Sequence, residues 1–532
     1  MSMGNTQAGF SLYSTLPISR LPLEIMVEIF QLVCPPPDRS ATKMSSHTPL
    51  FLGTICRQWR DMAWSAAILW KDVALHLGAS SLQVALLQEW LLRAKSMPLN
   101  ITLYRHRLNA LVSHETLAHR GLDKAVFKVL LTRSCYWSSF HCDGLLPEFV
   151  DIFQDSRFPI LKSIHLAGYR PLRSRHTYSF PPPNTLLAAS PLLEHLILEG
   201  YSLSKTVMPL APLRSFTICY HSIDECITVF QTYPNLVSAD LRNIFPRHPA
   251  TGFASWTPTF TISHKTLSSL RVHTRLNTER LLQHLELPAL NHLHVNAEIT
   301  CLGSIVHLIQ RSRCSLNTFD LWAEYTGDED LVGAFRTFPR LSMLRWAWSW
   351  ILMFDIHGQA AQSKLKPDVV NMLNPTYSNG QPLLPNLTSL IWADYIPEDC
   401  QIPLAEAIEQ RWRVQEDTLR GSPGVARLKS VKFFEKCCNS ELKKLLSKLS
   451  LEGMEVELMV GEITLAAFNA LLTFLNSDKI VMSSTELSLH QKSIYLILVC
   501  VSQRRQLNIQ TSIVIRPPHS PRDHHSRLGL GC

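Results

Sequence analysis

The chain has 532 residues, more than one compact core usually organises, so several domains or an elongated repeat architecture are expected. Hydrophobic residues make up 46% of the sequence and charged residues 18%, which excludes wholesale disorder. The formal net charge of +8 is a mild excess without a concentrated basic face, so the sequence predicts no nucleic-acid partner.

Cysteine usage and the lack of long apolar runs both favour a reducing compartment. The thirteen cysteines are an odd number at irregular spacing and are expected to be free thiols. Residues 1–15 resemble no secretory signal and are expected to be disordered, and the longest apolar run, 494–501, is too short to span a bilayer as a helix. The sequence therefore predicts a cytoplasmic or nuclear protein with no membrane partner.

Two short helices are predicted near the start of the chain. Residues 21–33 carry apolar side chains at helical spacing, Pro22 suits the first turn, and the prolines at 35–37 prevent continuation. After a proline-containing linker, a second amphipathic helix is predicted over 48–62. Taken singly, each amphipathic stripe indicates ordinary core rather than a binding surface.

The order of these segments resembles the F-box, over about residues 16–77. The resemblance is carried by Leu16-Pro17, Leu21-Pro22-Leu23-Glu24-Ile25, Ile29-Phe30, Cys56-Arg57-Gln58-Trp59-Arg60 and Leu69-Trp70. It implies a small helical domain that docks on the Skp-type adaptor of a cullin ubiquitin ligase while the rest of the chain selects the substrate. The adaptor-binding residues that it implies are Leu21, Pro22, Leu23, Ile25, Ile29 and Phe30, with Trp59 and Trp70 as internal support. The linker 35–47 is longer than a compact F-box needs.

A second pattern, leucine, two residues, apolar, one residue, apolar, recurs ten times along the chain. Its matches are Leu161-Ile164-Leu166, Leu193-Leu196-Leu198, Leu213-Phe216-Ile218, Leu236-Ala239-Leu241, Leu267-Leu270-Val272, Leu290-Leu293-Val295, Leu316-Phe319-Leu321, Leu341-Leu344-Trp346, Leu387-Leu390-Trp392 and Leu428-Val431-Phe433. Weaker candidates occur at Leu99-Ile101-Leu103 and Trp137-Phe140-Cys142. Most intervals between the first leucines lie near the 20 to 29 residues of leucine-rich repeats, and helix-like stretches such as 82–92 and 125–131 fall between the motifs.

These repeats predict an α/β fold in which stacked units of one short strand and one helix share a continuous core. The pattern resembles the irregular leucine-rich repeats of F-box proteins, although the asparagine after the strand is mostly missing. The expected organisation is a helical F-box over 16–77, an irregular repeat solenoid over 78–475, a C-terminal cap over 476–502 and a basic disordered tail over 503–532.

Target recognition is expected on the strand residues that alternate with the buried ones. Residues two, four and six positions after the first leucine of each motif must point away from the core. The residues read from this rule are His195, Glu199, Asp240, Arg242, Arg271, His273, His292, His294, Asn296, Asp320, Trp322 and Arg345, and all of these except Glu199 and Asn296 are taken as target-binding candidates. A solvated sheet face is normally polar, but an outward tryptophan is enriched among binding hot spots. We therefore expect this face to bind an unidentified protein substrate.

No enzyme motif, cofactor site or metal site is predicted. His114 and His119 are five residues apart, so one helix cannot direct both at one ion, and His292 with His294 is more often a pair of polar contacts than a metal site. Two further functions stay open: a repeat scaffold outside any ligase, whose N-terminal helices only cap the solenoid, and, far less favoured, a hydrolase.

Overall fold

The computed structural model describes part of the chain, and all of that part lies in the first of two units, Met1–Phe474 and Leu475–Cys532. The described residues are 21–34, 48–78, 81–105, 117–168, 182–201, 203, 212–219, 221–244, 261–274, 278–297, 302–323, 331–347, 367–376, 382–393, 396–414, 425–434 and 438–459. The expectations for residues 1–15, the linker 35–47, His114 and the segments 476–502 and 503–532 lie outside these residues.

Thirteen α-helices occur in the described residues. They are α1 Leu23–Val33, α2 Pro49–Ile55, α3 Arg57–Ser65, α4 Ser81–Ala94, α5 Leu117–Leu131, α6 Asn184–Ala188, α7 Ile223–Thr232, α8 Thr278–Gln283, α9 Leu302–Ser312, α10 Leu331–Arg336, α11 Pro367–Asn371, α12 Glu398–Trp412 and α13 Ser440–Leu451. Short 3-10 turns cover Ala67–Trp70, Ser134–Tyr136 and Pro147–Phe153. None of these described helices has both the length and the apolar character needed to cross a membrane.

Sixteen strands alternate with the helices. They are β1 Asp72–His76, β2 Leu99–Tyr104, β3 Trp137–Leu145, β4 Ser163–Gly168, β5 His195–Glu199, β6 Ser215–Cys219, β7 Ser238–Arg242, β8 Ile262–Ser263, β9 Ser269–Thr274, β10 Leu285–Glu286, β11 His292–Ala297, β12 Thr318–Ala323, β13 Met343–Ala347, β14 Ser389–Ala393, β15 Ser430–Phe434 and β16 Glu455–Met459. Fourteen of them form one parallel sheet in chain order, and β8 and β10 pair separately. The α/β class predicted from the sequence is therefore present.

All ten predicted strands are present, and the leucine that precedes each is at most 4% exposed. In β11, Leu293 and Val295 are buried whereas His292 is exposed and His294 is half-buried, which is the alternation expected when one sheet face is covered. Helix α9 adds Ile305 to the same apolar core. The strand face opposite this core, which carries His292, His294 and the residues paired with them, is called the polar face below.

Neighbouring strands are aligned by a pair of backbone hydrogen bonds that recurs at the strand starts. The carbonyl of Ser268 accepts hydrogen bonds from the N–H groups of Asn291 and His292, both at 2.9 Å. A carbonyl has two lone pairs, so it satisfies both donors at once. The same double contact is made by the carbonyls of Lys162, Glu194, Arg214, Val237, Asn291, Asn317, Ser342 and Thr388.

The predicted N-terminal helices are present with two corrections. Helix α1 begins at Leu23, with Pro22 as the residue before it rather than inside its first turn. The second predicted helix is broken at Cys56 into α2 and α3, and the Cys56 sulfur accepts a hydrogen bond from the Trp59 N–H at 3.4 Å. Thr48 precedes α2 without a side-chain capping bond.

Candidate interaction surfaces

Helix α3 is linked through aromatic residues to the 3-10 turn Ala67–Trp70 and to α4. The Trp70 indole N–H donates to the Ala63 carbonyl at 2.8 Å, and the Trp90 indole N–H of α4 donates to the Trp70 carbonyl at 2.7 Å. The rings of Trp70 and Trp90 meet edge to face, with centroids 4.9 Å apart. The N-terminal helices therefore share one apolar core with the sheet.

Helix α1 buries two side chains, Met26 and Phe30, in this core. Phe30 is fully buried, with its ring centroid 5.0 Å from that of Trp59 on α3, and Met26 is buried one turn earlier. The prediction that Phe30 lies on a docking surface is therefore wrong in its placement, because the inward stripe of α1 includes it. Ile29 is half-buried against the same core.

The N-terminal segment also carries exposed apolar side chains. Of the residues predicted to bind an adaptor, Leu21, Leu23 and Ile25 are 39%, 49% and 41% exposed, and Pro22 is exposed as well. Further exposed apolar side chains on the same helices are Leu32, Val33, Leu50, Phe51, Ile55 and Trp64. Together with Leu21, Leu23 and Ile25 they are called the helical apolar surface. The sequence contained the α2 members of this set, but their helical spacing was interpreted as core.

The polar face brings several predicted target-binding residues into one line. The strand register aligns Asp240, Arg271, His294, Asp320 and Arg345 across β7, β9, β11, β12 and β13. This set is called the ionic row. Because parallel strands lie about 4.8 Å apart, side chains in such a line reach their neighbours directly.

Asp240 organises one end of the ionic row. Its carboxylate accepts a 2.7 Å hydrogen bond from Arg242 two residues along its own strand, and it lies 3.6 Å from the Arg271 guanidinium. The bond to Asp240 raises the pKa of Arg242. Asp240 is itself 9% exposed, so it serves mainly to hold the two arginines.

Asp320 organises the other end. One of its carboxylate oxygens contacts Nδ1 of His294 at 2.6 Å, and the other accepts a 2.6 Å hydrogen bond from the Trp322 indole N–H. The Arg345 guanidinium lies 4.7 Å from the centre of the Trp322 ring. Trp322 was predicted as an outward anchor, and the structure places it on that face but engaged by Asp320 and Arg345.

His273 lies between the two ends. Its ring centroid is 4.5 Å from that of His294. Burial, together with His294 and the neighbouring arginines, lowers the pKa of His273 to about 4, so the ring is neutral at pH 7. The two remaining candidates stand apart from the ionic row, because His195 and His292 lie exposed at the starts of β5 and β11.

A second group of ionisable residues lies on the polar face, and the sequence rule had selected only its Glu199. His141 and Asp143 lie on β3, with Nε2 of His141 2.9 Å from the Asp143 carboxylate. His165 on β4 pairs directly with His141, and their ring centroids are 4.0 Å apart. Glu199 on β5 lies 3.6 Å from Nε2 of His165, and this neighbouring histidine lowers the Glu199 pKa.

A signal for this group was available in the sequence. His165 lies four positions after Leu161, and His141 and Asp143 lie four and six positions after Trp137, which are offsets that the rule uses. The motif at Trp137 opens with tryptophan instead of leucine, so a leucine-based rule excludes His141 and Asp143, whereas His165 follows a leucine motif and fits the rule. Comparison with known proteins adds nothing to these observations, since no protein-family model and no curated protein matches the chain.

Proposed function

We propose that this protein is a substrate receptor of a cullin ubiquitin ligase. The helical apolar surface docks on a Skp-type adaptor bound to the cullin scaffold, and the polar face of the repeats binds the target. The observation that carries the proposal is the exposure of Leu21, Leu23, Ile25 and their neighbours, although the same helices already contribute Met26, Phe30 and Leu52 to the core.

If these helices only covered the end of a repeat array, their exposed side would be expected to be polar, because it faces water. Here Leu32 is 82% exposed, Leu23 and Ile55 are both 49% exposed, and Phe51 is 40% exposed. Large exposed apolar patches mark protein interaction sites, and we propose that these side chains form such a patch. The F-box resemblance of Leu21, Leu23 and Ile25 supplies the class of partner.

The remainder of the described chain is proposed to be an irregular leucine-rich-repeat solenoid. Its support is the chain-order arrangement of the fourteen parallel strands and the repeated double hydrogen bonds between neighbouring units. Stacking of units that each contact only their neighbours is the property that defines such arrays.

In this proposal the protein supplies no catalytic group. It holds a target near a ubiquitin-loaded partner enzyme in the cytoplasm or nucleus, and the gain in rate comes from proximity. The ionic row, with Arg242 and His273 beside it, presents fixed cations, carboxylates and the Trp322 ring for recognition, and its internal bonds hold these side chains in place before binding.

The test is adaptor binding by the full chain carrying Leu21→Ala with Ile25→Ala. We expect at least a tenfold loss, since truncating a central apolar anchor costs about 1 to 4 kcal/mol of binding. Leu192→Ala with Ile402→Ala is the matched control, because both side chains are apolar and exposed outside the helical apolar surface. Arg271→Ala with Arg345→Ala, on the polar face, is also expected to keep the adaptor.

A repeat scaffold outside any ligase is the second candidate. The contact of Trp70 with Trp90 favours it, because helices that share the core of the first repeat also shield its end. Two results would favour the scaffold over the ligase receptor. One is failure of the wild-type chain to bind the adaptor, and the other is equal adaptor binding by wild type and by the folded Leu21→Ala, Ile25→Ala variant.

A further inference from the structure

The group formed by His141, Asp143 and His165 has the composition and spacing of a metal site. One ligand atom from each of the three residues can be chosen so that all lie within 4.8 Å of one another. On a tetrahedral zinc ion, with bonds of about 2.0 to 2.1 Å, neighbouring donor atoms lie roughly 3.3 Å apart. Small side-chain rotations therefore suffice to bring the three donors onto one ion.

The strand geometry presents these donors in advance of any ion. His141 and Asp143 are two residues apart on β3 and point to the same face, and the register places His165 beside His141 on β4. The backbone of both strands is fixed by the ladder, so only side-chain rotamers remain to be ordered on binding. Preorganisation of this kind lowers the entropic cost of binding a ligand.

One ring nitrogen in this group lacks a hydrogen-bond partner within the described residues. It is Nδ1 of His141, on a side chain that is 6% exposed overall. A buried imidazole nitrogen without a partner is costly, whereas coordination to a metal satisfies it. This observation is independent of the donor spacing and also indicates a ligand.

Glu199 completes the set. Metal-binding histidines usually donate their second ring N–H to a carboxylate, which fixes the ring orientation. The Glu199 carboxylate lies 3.6 Å from Nε2 of His165 and fits that role. Two neutral imidazoles with two carboxylates carry a formal charge that matches a divalent cation, and imidazole with carboxylate suits zinc and other first-row metals.

We propose that His141, Asp143 and His165 bind one divalent first-row transition-metal ion, with Glu199 as the carboxylate that orients His165. The ion would join β3 to β4 on the polar face, and the site does not depend on the proposed ligase function.

The proposal is tested with the purified full chain, stripped with a chelator and titrated with Zn²⁺ by equilibrium dialysis and with Co²⁺ by visible absorption. Wild type is expected to bind one ion with tetrahedral cobalt bands that His165→Asn abolishes. Glu199→Gln should weaken binding about 10- to 100-fold, as losses of orienting carboxylates do. All variants keep the same thirteen cysteines, so any metal ion bound by cysteine thiols contributes equally to every measurement.

His195→Asn and His294→Asn are the matched controls, because they remove one exposed histidine and one histidine of the ionic row. Both are expected to bind the ion like wild type. Added Zn²⁺ should also raise the unfolding temperature of wild type and of both controls but not of His165→Asn. His165 is half-buried, so its variant is expected to fold, which circular dichroism checks. The proposal is overturned by the absence of one-to-one binding, by binding that survives His165→Asn, or by binding lost in His294→Asn.

Discussion

At the scale of single residues, His273 shows how the polar face controls charge. Its pKa is lowered from 6.5 to about 4, first by burial and then by His294. As the pH falls below 6.5 the unfolded chain takes up a proton at this position, whereas the folded chain does so only near pH 4. The lowered pKa of His273 therefore does not reduce the free energy of unfolding above pH 6.5. It reduces that free energy progressively as the pH falls from 6.5 to 4.

This linkage predicts that the free energy of unfolding depends less on pH in His273→Gln than in wild type. The free energy of unfolding of wild type should fall more steeply between pH 6.5 and 4 than that of the variant, because glutamine binds no proton. Urea unfolding at a series of pH values measures both profiles. Parallel curves across this range would show that the His273 pKa is not lowered in the folded protein.

At the scale of elements, an arginine of helix α12 anchors the segment before β14. Arg411 is 2% exposed and donates to the backbone carbonyls of Leu373 at 2.6 Å and Leu384 at 3.1 Å, and also to that of Leu383. Burial lowers the pKa of Arg411 to about 10, so it remains a cation at neutral pH. Arg311 of α9 makes similar bonds to the carbonyls of Leu282 and Leu285.

We predict that Arg411→Met lowers the free energy of unfolding by at least about 3 kcal/mol, because three buried carbonyls lose their donor. The control is Arg413→Met on the same helix, whose guanidinium forms an exposed ion pair with Glu409. Its urea midpoint should stay near that of wild type, since exposed pairs contribute little. Equal midpoints for the two variants would contradict an anchoring role for Arg411.

Most strands of the main sheet were predictable because each follows a local motif. The short strands β8 and β10 follow no such motif, and the two outer strands of the main sheet were missed because the first position of their motifs differs. Trp70 occupies it before Val73 and Leu75 of β1, and Gly453 occupies it before β16. The apolar positions of both strands otherwise keep the spacing, so the leucine requirement was too strict.

Two features of the candidate surfaces could not be read from periodicity. Apolar spacing continues across Cys56, so it did not indicate the break between α2 and α3. Spacing also does not say which side of an amphipathic helix meets the chain's own core. Phe30 was therefore expected at the surface but is buried, and Phe51 was interpreted as core but is 40% exposed. Tertiary packing decides such questions.

At the scale of the whole molecule, the reactivity of the cysteine thiols tests which parts of the chain are packed. Cys142 and Cys226 are buried in the core, and burial raises the pKa of both thiols, whereas Cys56 and Cys135 are exposed. The nucleophile in thiol chemistry is the thiolate, which needs both access and a low pKa. Cys437, predicted to be a free thiol, lies outside the described residues.

We predict that a thiol reagent modifies Cys56 and Cys135 rapidly in the native protein, and Cys142 and Cys226 only on unfolding. Mass spectrometry of peptides from a timed reaction measures each site. The denatured, unreduced chain should release all thirteen thiols. Several stable disulfides would contradict the predicted reducing compartment, and fast native modification of Cys226 would contradict the packing of α7.

The order of the sheet also bears on how such a chain can change in length. Each strand of the main sheet pairs only with the units before and after it, and backbone N–H groups make the double contacts at the strand starts, joined at some of them by the side-chain hydroxyls of Ser268, Ser342 and Thr388. Extra residues inserted between a helix and the next strand therefore leave the ladder intact. The first leucines of β13 and β14 are 46 residues apart, against 20 for β5 and β6, yet both pairs keep the same parallel register. Segments between strands can thus grow while the strand pairing stays the same.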